Sequence, residues 1–243
     1  MRIPVPISLN QQSTPFDDPE WIFEIKHDGF RALALIERGD CWFVSRKSHK
    51  FYGVQELATA LAGEVNAEMA VLDGELVVTD DTGRTVFSSG MKRRKQTRFF
   101  AFDLLWLNGE DLRALPLLSR KEKLKRIFPS PTTHALYVDH TKGAGTELYR
   151  LACQLDLEGI VAKRADSPYE NQAATPPWIE IKNPTYSQSR PRGLFKKASE
   201  HATADYVKSA GPLPAGTRHN SARRLREAAS RARQDSFSAL RGR

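Results

Sequence analysis

The residues best suited to chemistry lie in one short block near the amino end, Glu24-Ile25-Lys26-His27-Asp28-Gly29-Phe30-Arg31. This block places a lysine at the end of a predicted strand, just before an Asp-Gly turn and an arginine. If Lys26 is buried beside Arg31, other lysines or a metal, its amine loses a proton more readily and becomes a nucleophile. Taken alone, Lys-x-Asp-Gly-x-Arg is a weak signal, since most such strings are hairpin turns with surface charges.

Further blocks follow in order along the chain and make the first block informative. They are Val44-Ser45-Arg46, Leu72-Asp73-Gly74-Glu75-Leu76, Phe100-Ala101-Phe102-Asp103-Leu104-Leu105, Glu158-Gly159-Ile160-Val161-Ala162-Lys163 and Trp178-Ile179-Glu180-Ile181-Lys182. Their order and identity resemble the nucleotidyltransferase motifs of ATP-dependent DNA ligases, especially the ligase modules of bacterial end-joining proteins. The resemblance covers about residues 20–187. Each block alone is common, whereas the ordered set is highly specific.

The resemblance implies a reaction and a role for each side chain. Such ligases transfer AMP from ATP to an enzyme amine, then to a DNA 5′-phosphate, and finally let a 3′-hydroxyl displace the AMP. In-line displacement at phosphorus requires cations and Mg²⁺ (or Mn²⁺) around the oxyanions. By resemblance, the amine that carries AMP is Lys26. By the same resemblance, Arg31 and Arg46 would contact phosphate or the end of the nick, Glu24 would recognise the adenine edge, and Phe102 would stack on the purine. Glu75 would contact the ribose or a metal, and Glu158 would be a metal ligand. Lys163 and Lys182 would contact the α-phosphate, and Asp28 would support the turn and the sealing step.

Each residue also has a plain structural interpretation when it is taken by itself. Isolated glutamates are usually solvated strand charges, and Phe102 alone would belong to the core. His27 has no spaced partner and is assigned no role, and Trp178 is assigned to packing. The basic run Lys92-Arg93-Arg94-Lys95 with Arg98 fits DNA backbone contact and a solvated loop equally well.

One position departs from the family pattern. The last motif normally reads Trp-x-Lys-x-Lys, and Glu180 stands where the first lysine is expected. A carboxylate there would repel the α-phosphate unless it turns outward or shares a metal, so Lys182 would carry that contact alone. Loss of one charge-assisted contact costs about 1.5–3 kcal/mol. If it is felt in the transition state, that loss is roughly ten- to a hundredfold in rate.

The positive charge of the chain is concentrated at its carboxyl end. The net charge is +8, and residues 190–243 hold 13 Lys+Arg and 4 Asp+Glu. Residues 1–189 hold the remaining 24 Lys+Arg and 25 Asp+Glu. We therefore predict a nucleotidyltransferase domain over 1–189 and a basic, flexible tail over 190–243. Such a tail favours a nucleic-acid partner held by phosphate contacts, here nicked or broken double-stranded DNA, although a solvated, disordered end fits the same composition.

The composition of the tail does not fit the five-stranded OB barrel that ATP-dependent ligases usually add after the last motif. Two hypotheses follow from that absence and from Glu180. The chain is a ligase core, acting slowly or completed by end-joining or repair proteins in trans, or it is a degenerate module that binds nicks without sealing them. We do not expect an NAD-dependent ligase, because 25 residues precede Lys26 in this sequence and it has two cysteines. RNA ligases and GTP-using capping enzymes remain remote alternatives.

The elements that must position these residues predict an α+β fold with antiparallel sheets flanked by helices, and the resemblance implies the ATP-grasp-like core of DNA ligases. Asp28-Gly29 and Gly39-Asp40 predict an antiparallel meander of the first three strands. Ser119, with Glu122 three positions later, predicts a capping box. The predicted strands are 21–26, 32–37, 41–45, 71–79, 98–107, 159–163 and 178–182, and the predicted helices are 54–61, 146–155 and one following Ser119.

The overall composition predicts the setting of the protein. Hydrophobic residues make up 40% and charged residues 27%, which is an ordinary globular balance. Two cysteines are too few for a disulfide framework, so a reducing cytoplasm is expected. The amino end lacks a hydrophobic signal core, and the most apolar stretch is too short for a membrane span. We expect a monomer that does not associate with membranes.

Overall fold

A computed structural model of the chain describes residues 3–79, 85, 96–128, 134–170 and 177–188. No helix among these residues is long and apolar enough to cross a membrane. The basic run at 92–95 and the proposed tail at 190–243 lie outside the described residues, so their roles and the domain boundary at 189 stay predictions. The helices are α1 (Gln55–Glu64), α2 (Leu117–Ile127) and α3 (Gly145–Gln154). The strands are β1 (Asn10–Gln12), β2 (Trp21–Ile25), β3 (Phe30–Glu37), β4 (Asp40–Ser45), β5 (Met69–Thr79), β6 (Gln96–Leu107), β7 (Glu110–Asp111), β8 (Ala135–Tyr137), β9 (Thr141–Lys142), β10 (Gly159–Arg164) and β11 (Trp178–Lys182).

The strands form two sheets. The five-stranded sheet has the order β1-β11-β10-β2-β9, and the six-stranded sheet has the order β4-β3-β5-β6-β7 with β8 beside β6. Neighbouring strands are antiparallel except for two parallel pairs, β1 with β11 and β6 with β8. The predicted α+β architecture is therefore confirmed, while the short strands β1, β7, β8 and β9 carry too few residues to show a periodic pattern in the sequence.

The predicted meander of the first three strands is wrong in one respect. β3 and β4 form the expected hairpin, whose turn has positive φ at Arg38 and Gly39. β2, however, pairs with β10 and β9 in the other sheet. Asp28-Gly29 therefore crosses from one sheet to the other instead of closing a hairpin. A Cβ on Gly29 would lie 2.4 Å from the carbonyl oxygen of Leu76, so only glycine lets the crossing chain pass directly against β5.

The predicted capping box is also wrong. α2 begins at Leu117, directly after Pro116, and has no side-chain cap. Ser119 therefore lies inside the first turn of the helix instead of preceding it. Proline supports this start because its fixed φ and missing N–H are tolerated at a helix N-terminus. The helices predicted at 54–61 and 146–155 are confirmed with small shifts at their ends.

The buried side chains form layers that leave a site between the two sheets. One cluster packs α1 and α2 on the outer face of the six-stranded sheet, and another packs α3 on the outer face of the five-stranded sheet. A third cluster, which includes Ile22, Leu33, Leu105 and Trp178, fills the space between the sheets. Burial of these apolar faces holds the two sheets against each other. Polar side chains that project from either sheet into that space therefore meet there.

Candidate active site

A cleft of about 410 Å³ opens between the two sheets. Its lining contains most of the side chains that the ordered motifs single out. It also contains Leu9, His27 and Trp178, to which the sequence assigned no ligand contact. The lining residues are Leu9, Glu24, Ile25, Lys26, His27, Arg31, Glu75, Phe102, Val161, Lys163 and Trp178.

Cross-strand pairing in the five-stranded sheet explains why distant motifs meet on this face. Val161 of β10 lies opposite both Glu24 of β2 and Glu180 of β11, and two residues further on Lys163 lies opposite Ile22 and Trp178. Residues two apart on a strand share one face of the sheet, and opposed residues are neighbours across it. The first motif and the last two motifs therefore present one continuous row of side chains to the cleft.

Lys26 directly follows β2, and its backbone N–H donates to the carbonyl oxygen of Gly159 at 2.9 Å. Its Nζ lies 3.0 Å from Oε1 of Glu158 and 3.8 Å from Oε2 of Glu180. Burial lowers the pKa of Lys26, but Glu158, Glu75 and Glu180 outweigh burial and raise it overall. A lowered pKa was expected if cations lay beside the amine. The charged groups next to Lys26 are carboxylates instead, so that condition is not met. Lys26 is thus an ammonium group in this state.

The cations expected beside Lys26 are already paired. Arg31 donates twice to Asp73, from Nε to Oδ1 at 2.7 Å and from Nη2 to Oδ2 at 2.6 Å. Its guanidinium lies 4.9 Å from the centre of the Phe102 ring and 5.2 Å from that of Trp178. Asp73 raises the pKa of Arg31 further, against the effect of burial, so the arginine stays charged. The two parallel hydrogen bonds to Asp73 hold the guanidinium in a fixed orientation at the cleft.

Glu24 is buried between two lysines. One carboxylate oxygen accepts from Lys121 of α2, and the other lies 2.6 Å from Nζ of Lys163. Burial opposes ionisation of Glu24, but the two ammonium groups prevail and lower its pKa. Each oxygen of Glu24 thus faces an ammonium group, and the implied contact between Glu24 and an adenine edge stays a prediction. Sequence patterns missed Lys121, because nothing local in α2 marks it as the partner of a strand residue 97 positions away.

Lys163 completes this arrangement with an aromatic environment. Its Nζ lies 4.1 Å from the centre of the Phe102 ring and 4.0 Å from that of Trp178, which places a cation over two aromatic faces. Burial lowers the pKa of Lys163 to about 8, and Glu24 opposes that shift. Phe102 therefore lies in the cleft as expected, next to cations. Trp178, assigned to packing from the sequence, also contacts the charged groups of the site.

Two carboxylates beside Lys26 have oxygen atoms suited to a hard cation. Burial raises the pKa of Glu75 to about 8, opposed by Lys26 and Arg31, and burial also raises the pKa of Glu158. Oε2 of Glu158 is buried and has no hydrogen-bond partner. Among the described residues, no group of three or more His, Cys, Asp and Glu forms a ready metal site. Carboxylates that share an ion with substrate phosphates suit Mg²⁺, which needs few protein ligands.

Some residues implied by the resemblance do not line the cleft, and Glu158 is one of them although it contacts Lys26. Arg46 is exposed in the turn after β4. The Lys182 side chain is 41% exposed, and its Nζ lies 3.4 Å from Glu180. Asp28 accepts a hydrogen bond from the hydroxyl of Tyr186 at 3.1 Å and, lying in the sheet crossing, does not tighten a hairpin. The phosphate contacts of Arg46 and Lys182 and the sealing role of Asp28 stay predictions.

His27 makes stability depend on pH. Burial lowers the pKa of His27 to about 4, and the ring lies 4.4 Å from that of Phe100. The unfolded chain binds a proton near pH 6.5 and the folded chain only near pH 4, so stability rises with pH across this window and is lost as pH falls. When pH is lowered from 7 to 4.5, the free energy of unfolding measured in urea should fall by about 2–3 kcal/mol more in the wild type than in His27→Leu. Equal losses would contradict a buried neutral imidazole.

The cleft, its lysine Lys26 and the surrounding motifs agree with one known family. The family model for the ATP dependent DNA ligase domain matches residues 5–182 of the chain. The chain belongs to the ATP-dependent DNA ligase domain family. The resemblance inferred from the ordered motifs is confirmed.

Individual relatives of this ligase domain point the same way. The multifunctional non-homologous end joining protein LigD of Pseudomonas aeruginosa is 33% identical over 170 residues, covering 67% of this chain and 20% of the relative. The SPbeta prophage-derived DNA ligase-like protein LigB of Bacillus subtilis is 28% identical and covers 79% of this chain and 72% of its own length. The chain therefore spans about one fifth of the length of LigD and most of the prophage protein.

Solved structures confirm the fold of the ligase domain. A mycobacterial DNA ligase D complexed with ATP and MES is 28% identical with a TM-score of 0.60, covering 73% of this chain and 60% of that one. The ligase domain of Mycobacterium tuberculosis LigD is 26% identical with a TM-score of 0.57, covering 73% and 59%. The predicted nucleotidyltransferase core is therefore shared with these ligase domains.

At Glu180 this ligase domain has a negative side chain at a position where the family pattern has a lysine. Its Oε1 accepts a hydrogen bond from Nε2 of Gln11 at 2.6 Å, and its Oε2 faces Lys26. The side chain is 11% exposed, so it does not turn outward into solvent as one of the sequence-based alternatives required. A negative charge thus lies beside the amine where the family pattern has a positive one.

Restoring the family residue should therefore speed lysyl-AMP formation. We expect Glu180→Lys to raise the rate about ten- to a hundredfold, because a cation replaces an anion near the developing phosphate charge. Single-turnover formation of the AMP adduct measures this rate. Glu180→Gln is the matched control, since it removes the negative charge without adding a positive one, and it should give a smaller gain. A slower Glu180→Lys enzyme would show that Glu180 assists the reaction.

Proposed function

We propose that this chain is an ATP-dependent DNA ligase core that adenylylates itself on Lys26 and transfers the AMP to a DNA 5′-phosphate, so that nicks or breaks are sealed in repair. One observation carries the proposal. The amine of Lys26 lies in a cleft whose lining includes the Phe102 ring, two further cations and two carboxylates, all supplied by the ordered ligase motifs. Nucleophile, base platform and phosphate-binding charges thus converge on one volume.

The cleft supports the first step of this reaction through its own residues. Deprotonated Nζ of Lys26 forms a bond to the α-phosphorus of ATP while the bond to the bridging oxygen breaks and pyrophosphate leaves. Oε1 of Glu158, 3.0 Å away, is positioned to accept the proton that the ammonium group must lose. Lys163 and Arg31 offer positive charge to the phosphate oxygens, which stabilises the charge that spreads over them in the transition state.

The resident metal in this proposal is Mg²⁺ or Mn²⁺ held by Glu158 and Glu75. When bound, the ion neutralises phosphate oxygens and so lowers the barrier to displacement. The carboxylate oxygens fit such a cation by donor type, and the unpartnered Oε2 of Glu158 supplies a free ligand atom.

DNA as the second substrate is supported by family membership and by the relatives. The LigD proteins are named for non-homologous end joining, and the prophage relative is named as DNA ligase-like. For this chain we propose nicked or broken double-stranded DNA, contacted by the basic residues at 190–243, with end-joining or repair proteins as partners in trans. A monomer in a reducing cytoplasm completes the proposal.

Intact-mass measurement tests the proposed function. Purified protein treated with pyrophosphate, which removes any AMP acquired in the host, is incubated with ATP and Mg²⁺. The mass should rise by one AMP, and peptide mapping should place it on Lys26. Nicked DNA added to the adduct should discharge it and yield a sealed strand. GTP in place of ATP should give no adduct. Failure of every metal tested to produce an adduct with ATP would overturn the proposal.

Glu180 is the observation that favours a second function, a nick-binding module without sealing activity. Its carboxylate lies 3.8 Å from the Lys26 amine and opposes the approach of an α-phosphate. Such a module would bind nicked DNA in a salt-dependent way and form no adduct. Deletion of 190–243 should weaken that binding and lower its salt dependence under either function. The mass experiment separates the two functions directly.

A further inference from the structure

Tyr169 lies outside every ligase motif and yet contacts the site. Its side chain is buried, and its ring packs edge-to-face on Trp178 with centres 5.9 Å apart. The hydroxyl donates to Oδ2 of Asp73 at 2.6 Å, the same oxygen that accepts from Nη2 of Arg31. Tyr169 therefore touches the carboxylate that orients the arginine of the first motif.

The direction of these hydrogen bonds follows from the donors available. An ionised Asp73 only accepts, so the single hydroxyl proton of Tyr169 must point at it. The phenol oxygen is then free to accept, and the backbone N–H of Ile7 donates to it at 3.3 Å. A continuous chain of hydrogen bonds thus runs from the amino-terminal segment through Tyr169 and Asp73 to Arg31. Bonds in such a chain reinforce one another in a buried setting.

The same hydroxyl also holds one wall of the cleft. Leu9, two residues after Ile7, lines the cleft, and the segment continues into β1, which pairs with β11. The bond between Ile7 and Tyr169 therefore fixes the segment at one end, while the strand pairing fixes it at the other. The positions of Arg31 and Leu9, on two sides of the cleft, therefore both depend on the phenol of Tyr169.

We propose that Tyr169 is a positioning residue for nucleotide use: its hydroxyl fixes the Arg31 guanidinium through Asp73 and holds the amino-terminal segment against the cleft. This inference rests on the proposed function, since it assigns the positioned arginine to the ATP phosphates. Tyr169 does not itself contact the reacting atoms. Its ring supplies packing, and its hydroxyl supplies orientation, so the two contributions are separable by removing the oxygen alone.

Tyr169→Phe tests the proposal, with Tyr52→Phe as a matched control because Tyr52 is 60% exposed. Single-turnover adenylylation over a range of ATP concentrations gives the second-order rate constant, and thermal unfolding monitors the fold. We expect Tyr169→Phe to lower this constant about five- to tenfold through the lost hydrogen bond to a charged group. Tyr52→Phe should match the wild type.

Two further measurements separate positioning from general stability. In the Arg31→Lys background, Tyr169→Phe should lower the rate less than it does in the wild type, because the guanidinium that it orients is absent and only the contact with the amino-terminal segment is lost. The Arg31 Nε–H cross-peak in a ¹⁵N NMR spectrum, assigned by its loss in Arg31→Lys, should exchange faster with water in Tyr169→Phe. An unchanged cross-peak, or an equal rate loss in both backgrounds, overturns the inference. Absence of any adduct in the wild type overturns the proposed function instead, and the NMR result still decides whether the hydroxyl positions Arg31.

Discussion

Replacement of Lys26 by alanine is expected to abolish the AMP adduct completely. The amine is the group whose nitrogen would join the phosphorus, and no other side chain in the cleft has an equivalent place at the end of β2. Lys163 is the other cleft amine, but Glu24 and two aromatic rings surround it. Intact mass after incubation with ATP and Mg²⁺ should therefore show only the unmodified protein.

Two companion variants make this result interpretable. Lys26→Arg keeps the positive charge beside Glu158 and should preserve the fold while forming no adduct, since a guanidinium stays protonated and is a poor nucleophile. Lys47→Ala removes an exposed lysine in the turn after β4 and should leave the adduct at the wild-type level. An adduct of normal yield on Lys26→Ala would show that another nucleophile carries AMP, and the assignment of Lys26 would then be wrong.

Replacement of Glu24 by glutamine is expected to destabilise the folded domain by about 3–5 kcal/mol, because breaking a buried ion pair leaves charge without a counter-ion. Glu24 is 2% exposed, and Lys121 and Lys163 both depend on its carboxylate. The amide keeps the size of the side chain but carries no charge. Urea unfolding at neutral pH measures the loss in the free energy of unfolding.

The pH dependence of this loss identifies its cause. Burial lowers the pKa of Lys163 to about 8 while Glu24 opposes that shift, so Lys163 loses its proton at lower pH in Glu24→Gln, and the difference in the free energy of unfolding between Glu24→Gln and wild type should narrow as pH rises towards 8. Glu37→Gln, at the exposed end of β3, is the matched control and should cost less than about 0.5 kcal/mol. A loss below about 1 kcal/mol for Glu24→Gln would show that the lysines find other partners or neutralise at little cost.

The family and most strands of the fold could be predicted from the sequence alone. The blocks around Lys26, Glu75, Phe102, Glu158 and Lys163 carry their chemistry in residue type and order, and neither depends on tertiary contacts. Alternating and continuous apolar runs likewise predict strands, because side-chain direction along a strand repeats every two residues whatever the strand pairs with. These local properties place the candidate residues on the correct elements before any contact is known.

Only the tertiary structure decided which charges meet in the cleft. That β2 and β3 belong to different sheets follows from the pairing of β2 with β10, and apolar periodicity does not encode the partner of a strand. The same pairing brings Glu24 to Lys163, while α2 brings Lys121, so two residues predicted to contact the nucleotide also belong to an internal ion-pair network. The surroundings of Lys26 differ from those expected from the sequence for the same reason, because strand pairing decides which charges lie near it. Electrostatic effects fall with distance in space and not along the chain, so the pKa of Lys26 is raised by carboxylates that the fold gathers from two strands and a loop.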